Sequence, residues 1–396
     1  MNKEQGTTKR ILIVFEFCVS LNESMVPEVR GEWEKRGGRV TYLQGLFRTY
    51  RAGGMRFSRL LNLGWMFFWL PWVLLVLRPF KVLVRTTPPG IQIWAALWMK
   101  ILRIKGVLWL MDYHPEIEVL MLERKGSLGK ILARGLRSLD RWSQNAFERV
   151  VVPDGAMEET VRRNSGRKNI MVFPTWLSSP VASVAQTDES FTGNHSVTSI
   201  RSSALAADAT VKILYCGNLG SGHDLKALED WVASATQADD SRSERRMQVV
   251  TVGTGERGQS RFRELASRQN NLLWEHWGIL SDEDLRMRVD EKGVAWGLVL
   301  MDTKLKGLLS PSKFATYLNL GLPLLYFGPE GTNADRVCRE FGAGNAVPSG
   351  EVDVETIEKV LDPGRYAERL AGVQRAREFY NGFGAERFVE GIFLGA

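Results

Sequence analysis

The chain has 396 residues, a hydrophobic fraction of 44% and a net charge of +7, which indicate a globular protein of two or three domains. Its three cysteines, Cys18, Cys216 and Cys338, lie far apart, which excludes a disulfide framework and a cysteine-based metal site. The polar first residues lead directly into an apolar strand, so we expect no cleavable signal peptide and a cytoplasmic location.

The charge is distributed unevenly. Residues 1–178 hold 28 lysines and arginines against 15 acids, whereas the rest of the chain holds 24 against 30. A basic first half indicates an acidic partner: nucleic acid, a phosphorylated substrate or an anionic membrane surface. No RNA-binding or helix-turn-helix motif accompanies these basic residues, so nucleic acid is the weakest of the three explanations.

The first half alternates predicted strands and helices. A continuous apolar run, ILIVFEF at 11–17, predicts a strand that is buried on both faces. The alternation that follows is typical of a doubly wound α/β domain over residues 1–178. Further strands are predicted at 39–43, 81–85, 106–111, 150–153 and 170–174, with helices at 28–36, 91–102, 128–147 and 157–163.

Residues 60–77 form an uncharged apolar segment that lies between arginines and allows three interpretations. A spanning helix needs about 20 residues, and Gly64 and Pro71 interrupt a segment of only 18. A wholly buried helix would have to pack three tryptophans. We favour a helix lying in one leaflet, with basic flanks on anionic lipid and the tryptophans at the headgroups. These membrane residues are Trp65, Trp69 and Trp72.

Residues 179–210 are rich in Ser, Thr, Ala and Asp and predict a linker. A second α/β domain is predicted over 211–379. Its strands are expected at 211–216, 247–252, 272–274, 294–301 and 322–327, and helices at 365–379 and 385–393 end the chain.

Two segments of the second domain predict a phosphate site. Glycines follow its first strand at 217–222, where free backbone N–H groups can meet an anion. Ser312 and Lys313 precede a short helix at 314–320; Ser312 can cap it and Lys313 adds a positive charge. Because both segments follow parallel strands, they share the ligand-binding rim and can hold one diphosphate. His223 lies next to the glycine turn and either contacts the ligand or lies on the surface.

The pattern Gly253-x-Gly255-x-x-Gly258, with Glu275 further on, formally matches a dinucleotide-binding motif. It follows the second strand of its domain rather than the first, so an NAD-linked epimerase or dehydrogenase is disfavoured. His276, between two tryptophans, is expected to form part of the wall of a base pocket.

Asp112, His114 and Glu116 follow a buried strand of the first domain. An acid and a histidine two positions apart on a loop can act as base and orienting group. The alternative is structural, with Asp112 capping the turn and His114 merely exposed.

Several short motifs, in this order, resemble those of GT-B glycosyltransferases of the family 4 type found in bacterial capsule, O-antigen and colanic-acid clusters. The motifs are TTPPG at 86–90, MDYHPE at 111–116, FPTW at 173–176, YCGNLG at 215–220, VGTGE at 252–256, and SPSKF at 310–314 with GLP at 321–323.

The resemblance implies a nucleotide-sugar held by the second domain, an acceptor held by the first, and chemistry in the cleft. It also implies a retaining reaction without a metal or other cofactor, and a carboxyl-terminal segment at 380–396 that returns to the first domain. The implied residues are Asp112, His114 and Lys313 for catalysis; Gly217, Asn218, Gly220, Gly253, Gly255, Ser312, Lys313 and Thr316 for the donor; and Thr87, Pro88 and Glu116 for the acceptor.

One departure concerns a glutamate pair that many relatives carry in this segment, the second of which contacts the ribose. Leu309 and Thr316 stand at those positions here. Two functions therefore remain. The first is a transferase at the inner face of the plasma membrane, acting on a lipid-linked or polysaccharide acceptor. The second is a non-catalytic homologue that binds lipid-linked sugar or a partner enzyme.

Overall fold

A computed structural model describes residues 9–15, 25–46, 55–177, 210–220, 222–237, 246–347 and 362–394. The chain divides into two units. The first unit comprises Met1–Pro174, Gly307–Ser310 and Phe383–Ala396, and the second comprises Thr175–Lys306 and Pro311–Gly382. The short segment 307–310 of the first unit was not anticipated from the sequence. The predicted linker lies outside the described residues except for its last position.

The first unit is built on a parallel sheet in the order β2-β1-β3-β4-β5-β6. All six strands predicted from apolar runs are present, so the doubly wound prediction is confirmed for this half. The strands are β1 (Arg10–Phe15), β2 (Arg39–Gln44), β3 (Lys81–Arg85), β4 (Lys105–Trp109), β5 (Arg149–Val152) and β6 (Ile170–Val172).

Helices cover both faces of this sheet. They are α1 (Met25–Lys35), α2 (Met55–Leu77), α3 (Ile91–Leu102), α4 (Glu116–Glu123), α5 (Gly126–Ala146), α6 (Gly155–Ser165) and α13 (Ala385–Val389), the last continuing into a π-helical turn at Glu390–Leu394.

Right-handed crossovers place α2, α3, α5 and α6 on one face of the sheet and α1 on the other. The packing agrees, because α3 contacts both α2 and α5, whereas α1 contacts α13. Aromatic pairs hold the carboxyl-terminal segment in place: the ring centroids of Trp109 and Phe388 lie 4.5 Å apart, and those of Trp33 and Phe393 lie 5.1 Å apart.

Helix α2 contains the apolar segment 60–77 and has one buried side. Its buried residues recur every fourth position: Asn62, Met66, Leu70 and Leu74. On α3, the indole Nε1 of Trp94 donates to the Phe67 carbonyl at 2.8 Å.

The remaining side of α2 corrects one point of the sequence interpretation. Phe68, Trp69, Trp72 and Val76 are exposed, so the wholly buried alternative is wrong. Trp65 is half-buried, with its ring centroid 5.3 Å from that of Trp69. Within the described chain, the 18 residues Leu60–Leu77 are the one stretch long and apolar enough to cross a membrane.

The second unit contains another parallel sheet, in the order β12-β11-β10-β7-β8-β9. The sequence missed its last strand because four residues, two of them Gly344 and Asn345, carry no apolar run. A Cβ on Gly344 would lie 2.3 Å from the Leu324 carbonyl oxygen, so glycine permits the close pairing there. The strands are β7 (Val211–Cys216), β8 (Met247–Val252), β9 (Leu272–His276), β10 (Trp296–Leu300), β11 (Leu324–Phe327) and β12 (Gly344–Val347).

The helices of the second unit lie between these strands and after them. They are α7 (Leu225–Gln237), α8 (Glu256–Arg268), α9 (Asp282–Glu291), α10 (Lys313–Asn319), α11 (Asn333–Arg339) and α12 (Pro363–Asn381), with a 3₁₀ turn at Thr303–Leu305.

Successive strands are added to one side of β7 up to β9 and to its other side from β10 onwards, so the strand order reverses between β7 and β10. Doubly wound sheets bind ligands at such a switch point. The two strands pair at only two positions. Tyr317 of α10 bridges them: its hydroxyl accepts from the Cys216 N–H at 2.9 Å and donates to the Leu298 carbonyl at 3.0 Å. Its ring covers Gly297, where a Cβ would lie 2.3 Å from the ring. Helix α10 is thereby fixed at the switch point.

Replacing Tyr317 by phenylalanine should destabilise the protein, because the substitution leaves a buried N–H and a buried carbonyl without their partner. We expect a loss of about 2–3 kcal/mol, or roughly 5–10 °C in Tm, measured by thermal unfolding. The matched control is Tyr366→Phe, which removes a single buried bond to the Ala295 carbonyl. Equal losses in the two variants would contradict the bridging role.

Candidate functional site

Two glycine turns meet at the rim of the second sheet. Gly217 follows β7 with φ +89°, and Gly253 follows β8 with φ +65°, conformations that favour glycine. The Gly217 N–H donates to the Val252 carbonyl and the Gly253 N–H to the Gly278 carbonyl, each at 2.7 Å. A Cβ on Gly253 would lie 3.9 Å from the Cα of Gly217. The backbone at the ends of β7, β8 and β9 is therefore one connected surface.

The other glycines of the 253–258 pattern serve helix packing. A Cβ on Gly258 would lie 2.6 Å from Thr254 Cγ2, and one on Gly255 would lie 3.5 Å from Asn218 Oδ1. The Thr254 hydroxyl donates to the Gly217 carbonyl at 3.0 Å. The pattern thus joins α8 to the 217–220 turn, which explains the glycines without a dinucleotide.

Lys313 extends over the first of these turns. A Cβ on Gly217 would lie 3.6 Å from Lys313 Cε. The ammonium lies 5.0 Å from the centroid of the Tyr215 ring and 2.9 Å from His223 Nε2. The structure therefore brings together the lysine and the glycine turn that the sequence paired, and adds His223, which is half-buried beside Lys313. Contact of His223 with a ligand stays a prediction.

Burial governs the charges of this pair. It lowers the pKa of Lys313 to about 8. Burial and the neighbouring ammonium together lower the pKa of His223 to about 3. Near pH 7 the lysine is therefore charged and the histidine is neutral. Because an ammonium only donates, His223 Nε2 accepts from Lys313, and Nδ1 then carries the ring proton. Nδ1 lies 3.2 Å from the Gly220 carbonyl, which can accept that proton, and 3.0 Å from the Gly220 backbone nitrogen.

Within the described chain, no carboxylate lies within ion-pair distance of Lys313. A partly desolvated cation without a counter-ion is costly to a fold. A bound anion would supply the missing charge, so the lysine and the turn beneath it are suited to binding an anion.

The role predicted for Ser312 in helix capping is wrong. Ser312 occupies the position before α10, but its backbone is helical, with φ −79° and ψ −12°, and its side chain makes no capping hydrogen bond. Capping side chains usually need an extended backbone at this position. Thr316 lies one turn after Lys313 on α10. Leu309, at the other glutamate position, belongs to the first unit.

His276 was expected beside a base pocket. Its Nδ1 lies 3.0 Å from Thr251 Oγ1, and its Nε2 lies 3.1 Å from Gln259 Nε2. Both ring nitrogens are thus occupied by neighbours, and the arrangement indicates a structural role for His276.

The first unit has its own rim, formed by the loops after β3 and β4. The Thr86 hydroxyl donates to the Asp112 carbonyl at 2.8 Å, so the loop containing Thr87 and Pro88 lies beside the loop containing Asp112. Asp112 also pairs with Leu309 in an isolated antiparallel bridge. The structure places these predicted acceptor-side residues at one edge of the first sheet.

His114 is held by a carboxylate that the sequence interpretation missed. Its Nδ1 lies 2.7 Å from Glu118 Oε1, and Gln92 donates to its carbonyl at 2.8 Å. The carboxylate that orients His114 is Glu118, and the alternative of a merely exposed His114 is wrong. That Asp112 or His114 handles an acceptor hydroxyl stays a prediction. The sequence feature that could have indicated this pair is the four-residue spacing of His114 and Glu118 across the start of α4. The arrangement leaves Nε2 to exchange a proton with a ligand.

Glu116 has a different environment. Its buried carboxylate accepts from Arg137 Nη2 at 2.6 Å and from Nε at 2.9 Å, while Arg137 Nη1 donates to Glu123 at 2.6 Å. This two-pronged ion pair ties α4 to α5. The geometry favours a structural role for Glu116 over contact with an acceptor.

A buried polar network supports the 112–118 loop from below and was not anticipated. Gln144 Nε2 donates to the Tyr113 hydroxyl at 2.9 Å and to Asp140 Oδ2 at 2.6 Å. Burial raises the pKa of Asp140 to about 7, because the charged carboxylate is poorly solvated there.

Replacing Asp140 by asparagine should stabilise the protein at pH 8 more than at pH 5. The folded state holds the Asp140 proton more tightly than the unfolded state, so wild-type stability falls as pH rises from about 4 to about 7. Asparagine removes this loss, which the rise in pKa from 3.8 to about 7 places at about 4 kcal/mol at pH 8 and at less than half of that at pH 5. Urea unfolding at the two pH values measures it. An equal effect at both values would contradict the raised pKa.

The candidate catalytic residues belong to different units: Asp112 and His114 to the first, Lys313 to the second. The described residues contain no group of three or more His, Cys, Asp or Glu side chains placed to hold a metal ion. Independence from a metal or cofactor stays a prediction.

The fold is similar to those of solved glycosyltransferases. The lipopolysaccharide outer core galactosyltransferase WaaB is 13% identical, with a TM-score of 0.59 over 98% of this chain and 100% of that chain. HepE of Anabaena, in complex with UDP-glucose, is 11% identical, with a TM-score of 0.60 over the same shares. WaaG, a glycosyltransferase involved in lipopolysaccharide biosynthesis, is 12% identical, with a TM-score of 0.58 over 97% and 99%.

No protein-family model matches the sequence, and no curated protein matches it significantly. At these identities the similarity establishes the architecture. The chain has the GT-B fold: two α/β units with parallel six-stranded sheets and flanking helices.

Proposed function

We propose that the protein is a metal-independent glycosyltransferase that takes a sugar from a nucleotide-sugar held by the second unit. The observation that carries this proposal is Lys313, a half-buried cation that has no carboxylate partner among the described residues and lies over the Gly217 turn at the switch point of the sheet. A diphosphate is negatively charged, as the lysine requires. It also binds through backbone N–H groups, which it can approach closely where Gly217 has no side chain. HepE, which shares the fold, was solved with UDP-glucose.

In the proposed reaction, the bond between the sugar C1 and the diphosphate oxygen breaks, and a bond from C1 to an acceptor hydroxyl oxygen forms. Negative charge develops on the departing diphosphate, and Lys313 stabilises it electrostatically. The retaining outcome implied by the resemblance is part of the proposal.

The first unit binds the acceptor in this proposal. His114, oriented by Glu118, contacts the acceptor hydroxyl through Nε2 and takes up its proton. Asp112, Thr87 and Pro88 border the same rim. The acceptor is proposed to be lipid-linked or a growing cell-surface polysaccharide, as the capsule-type resemblance implies and as WaaB and WaaG act in lipopolysaccharide synthesis.

Membrane association belongs to the same proposal. Helix α2 packs one side on the first unit and exposes Phe68, Trp69, Trp72 and Val76 on the other. An interfacial helix places such residues at the headgroup level. The enzyme would therefore work at the inner face of the plasma membrane.

Removing the Lys313 charge should abolish both diphosphate binding and transfer. Wild-type affinity for the nucleoside diphosphate should fall as pH rises through 8, approaching tenfold per unit, because binding needs the protonated lysine. Lys313→Met should lose at least a hundredfold in affinity and show no such pH dependence in titration calorimetry. Lys304→Met, at an exposed lysine of the 3₁₀ turn, is the control. Normal turnover by Lys313→Met would refute the assignment.

The second candidate is a non-catalytic homologue that binds lipid-linked sugar or a partner enzyme. Leu309 and Thr316, at the positions of the usual glutamates, favour it. A calorimetric panel of UDP- and GDP-sugars separates the two candidates: binding of one member supports the enzyme, and binding of none supports the second candidate.

The exposed tryptophans of α2 should be needed for membrane binding. Trp69→Ser/Trp72→Ser should lose most flotation with anionic liposomes, because the apolar contact with the bilayer is removed. Trp65 is left intact since it is half-buried. Ile279→Ser/Met287→Ser, which removes exposed apolar side chains from the second unit, is the control. Unchanged flotation of the tryptophan variant would contradict the role of α2.

A further inference from the structure

Helix α5 buries small and polar side chains and exposes large apolar ones. The residues that it buries are small or polar: Gly129, Ala133, Asp140, Ser143 and Gln144. Four of its large apolar residues point outward instead and are more than half exposed, namely Leu128, Ile131, Leu132 and Leu139, while Leu136 and Trp142 are half-buried. A helix facing water normally does the opposite, because burying leucine and isoleucine stabilises the fold. The outward side of α5 is therefore suited to an apolar surrounding.

The exposed apolar residues of α5 form a stripe with helical spacing. Basic residues accompany it along the helix, among them Lys130, Arg134 and Arg141. An outward apolar stripe beside a basic row is the pattern of helices that lie on membranes. The adjacent helix α3 adds exposed Leu97 and Ile101 to the same layer, and α2 packs on the far side of α3.

An open cavity of about 730 Å³ lies between the end of α3 and the second half of α5. Its lining includes four cations and one tryptophan: Lys100, Arg103, Lys105, Arg141 and Trp142.

The cations of this cavity outnumber the acids that the described residues place beside them. The one acid in the lining, Glu148, is already bonded to Lys81 at 3.1 Å. Across the described ranges, no acid lies within ion-pair distance of Lys100, Arg103 or Lys105. The cavity is therefore a site of net positive charge.

The cavity lies away from the acceptor rim. Lys105 begins β4, and Glu148 directly precedes β5, so the lining belongs to the amino-terminal edge of the first sheet. The loops that contain Pro88 and His114 follow the carboxyl ends of β3 and β4, at the opposite edge. The cavity thus serves a ligand other than the sugar acceptor.

We propose that this cavity binds the phosphate headgroup of an anionic phospholipid, while the α5 stripe, Leu97 and Ile101 contact the acyl chains. The inference rests on the membrane location in the proposed function and assigns it a specific lipid site. A lipid explains both features together, because a soluble anion or an acidic peptide would leave the exposed apolar residues of α5 and α3 without a partner.

The test is flotation of the full chain with vesicles of phosphatidylcholine alone or with 30% phosphatidylglycerol. Wild type should float only with the anionic vesicles. Lys100→Gln/Arg103→Gln should weaken this binding about thirtyfold, as expected for two charges near an anionic surface. Ile131→Ser/Leu132→Ser should also lose binding. Lys35→Gln/Arg39→Gln, which removes two exposed charges near α1 on the other face of the sheet, should bind as wild type does.

Wild-type binding by either the cavity variant or the stripe variant would overturn the proposal. Release of the protein by millimolar inorganic phosphate would also overturn it, in favour of a soluble-phosphate site.

All variants change exposed residues, and unfolding curves equal to that of wild type establish that they are folded. Nucleotide-sugar binding in solution should be unchanged in each variant. Loss of nucleotide binding in every protein, wild type included, would refute the proposed function without bearing on the lipid site.

Discussion

The hydroxyl of Tyr317 joins β7 and β10, the two strands between which the strand order of the second sheet reverses. It accepts from one strand and donates to the other, and its ring fills the space over Gly297. Because Tyr317 belongs to α10, this bond fixes the helix at the switch point, and Lys313 at the start of that helix is carried over the Gly217 turn. The position of the Lys313 ammonium thus depends on the buried hydrogen bonds of Tyr317, four residues further along the chain.

Both rims hold ionisable groups in environments that disfavour their charge. Lys313 is partly desolvated beside a neutral histidine, and Asp140 is buried beneath the His114 loop. Such arrangements lower the free energy of unfolding. They are typical of functional sites, where a bound ligand neutralises the buried charge or a proton is taken up. The cation at Lys313 fits an incoming diphosphate, whereas the buried Asp140 network supports the backbone that presents His114.

Much of the fold was predictable because strands buried on both faces appear as continuous apolar runs. The meeting of Lys313 with the glycine turn was predictable as well, since loops after parallel strands share one rim. Other features depend on tertiary contacts. Glu118 reaches His114 only once α4 forms, and the local conformation of Ser312 rules out its cap. The four-residue strand β12 has too short an apolar signal, and the outward leucines of α5 resemble ordinary core positions until the packing is known.

The central claim is that a nucleoside diphosphate lies against the Gly217 turn with its phosphates on Lys313. A crystal structure of the protein with the nucleotide-sugar selected by the binding panel tests it most directly. We expect Lys313 Nζ to lie within hydrogen-bonding distance of a phosphate oxygen, and the phosphates to lie beside Gly217 at the ends of β7 and β8. A nucleotide bound elsewhere, or phosphates without contact to Lys313, would contradict it.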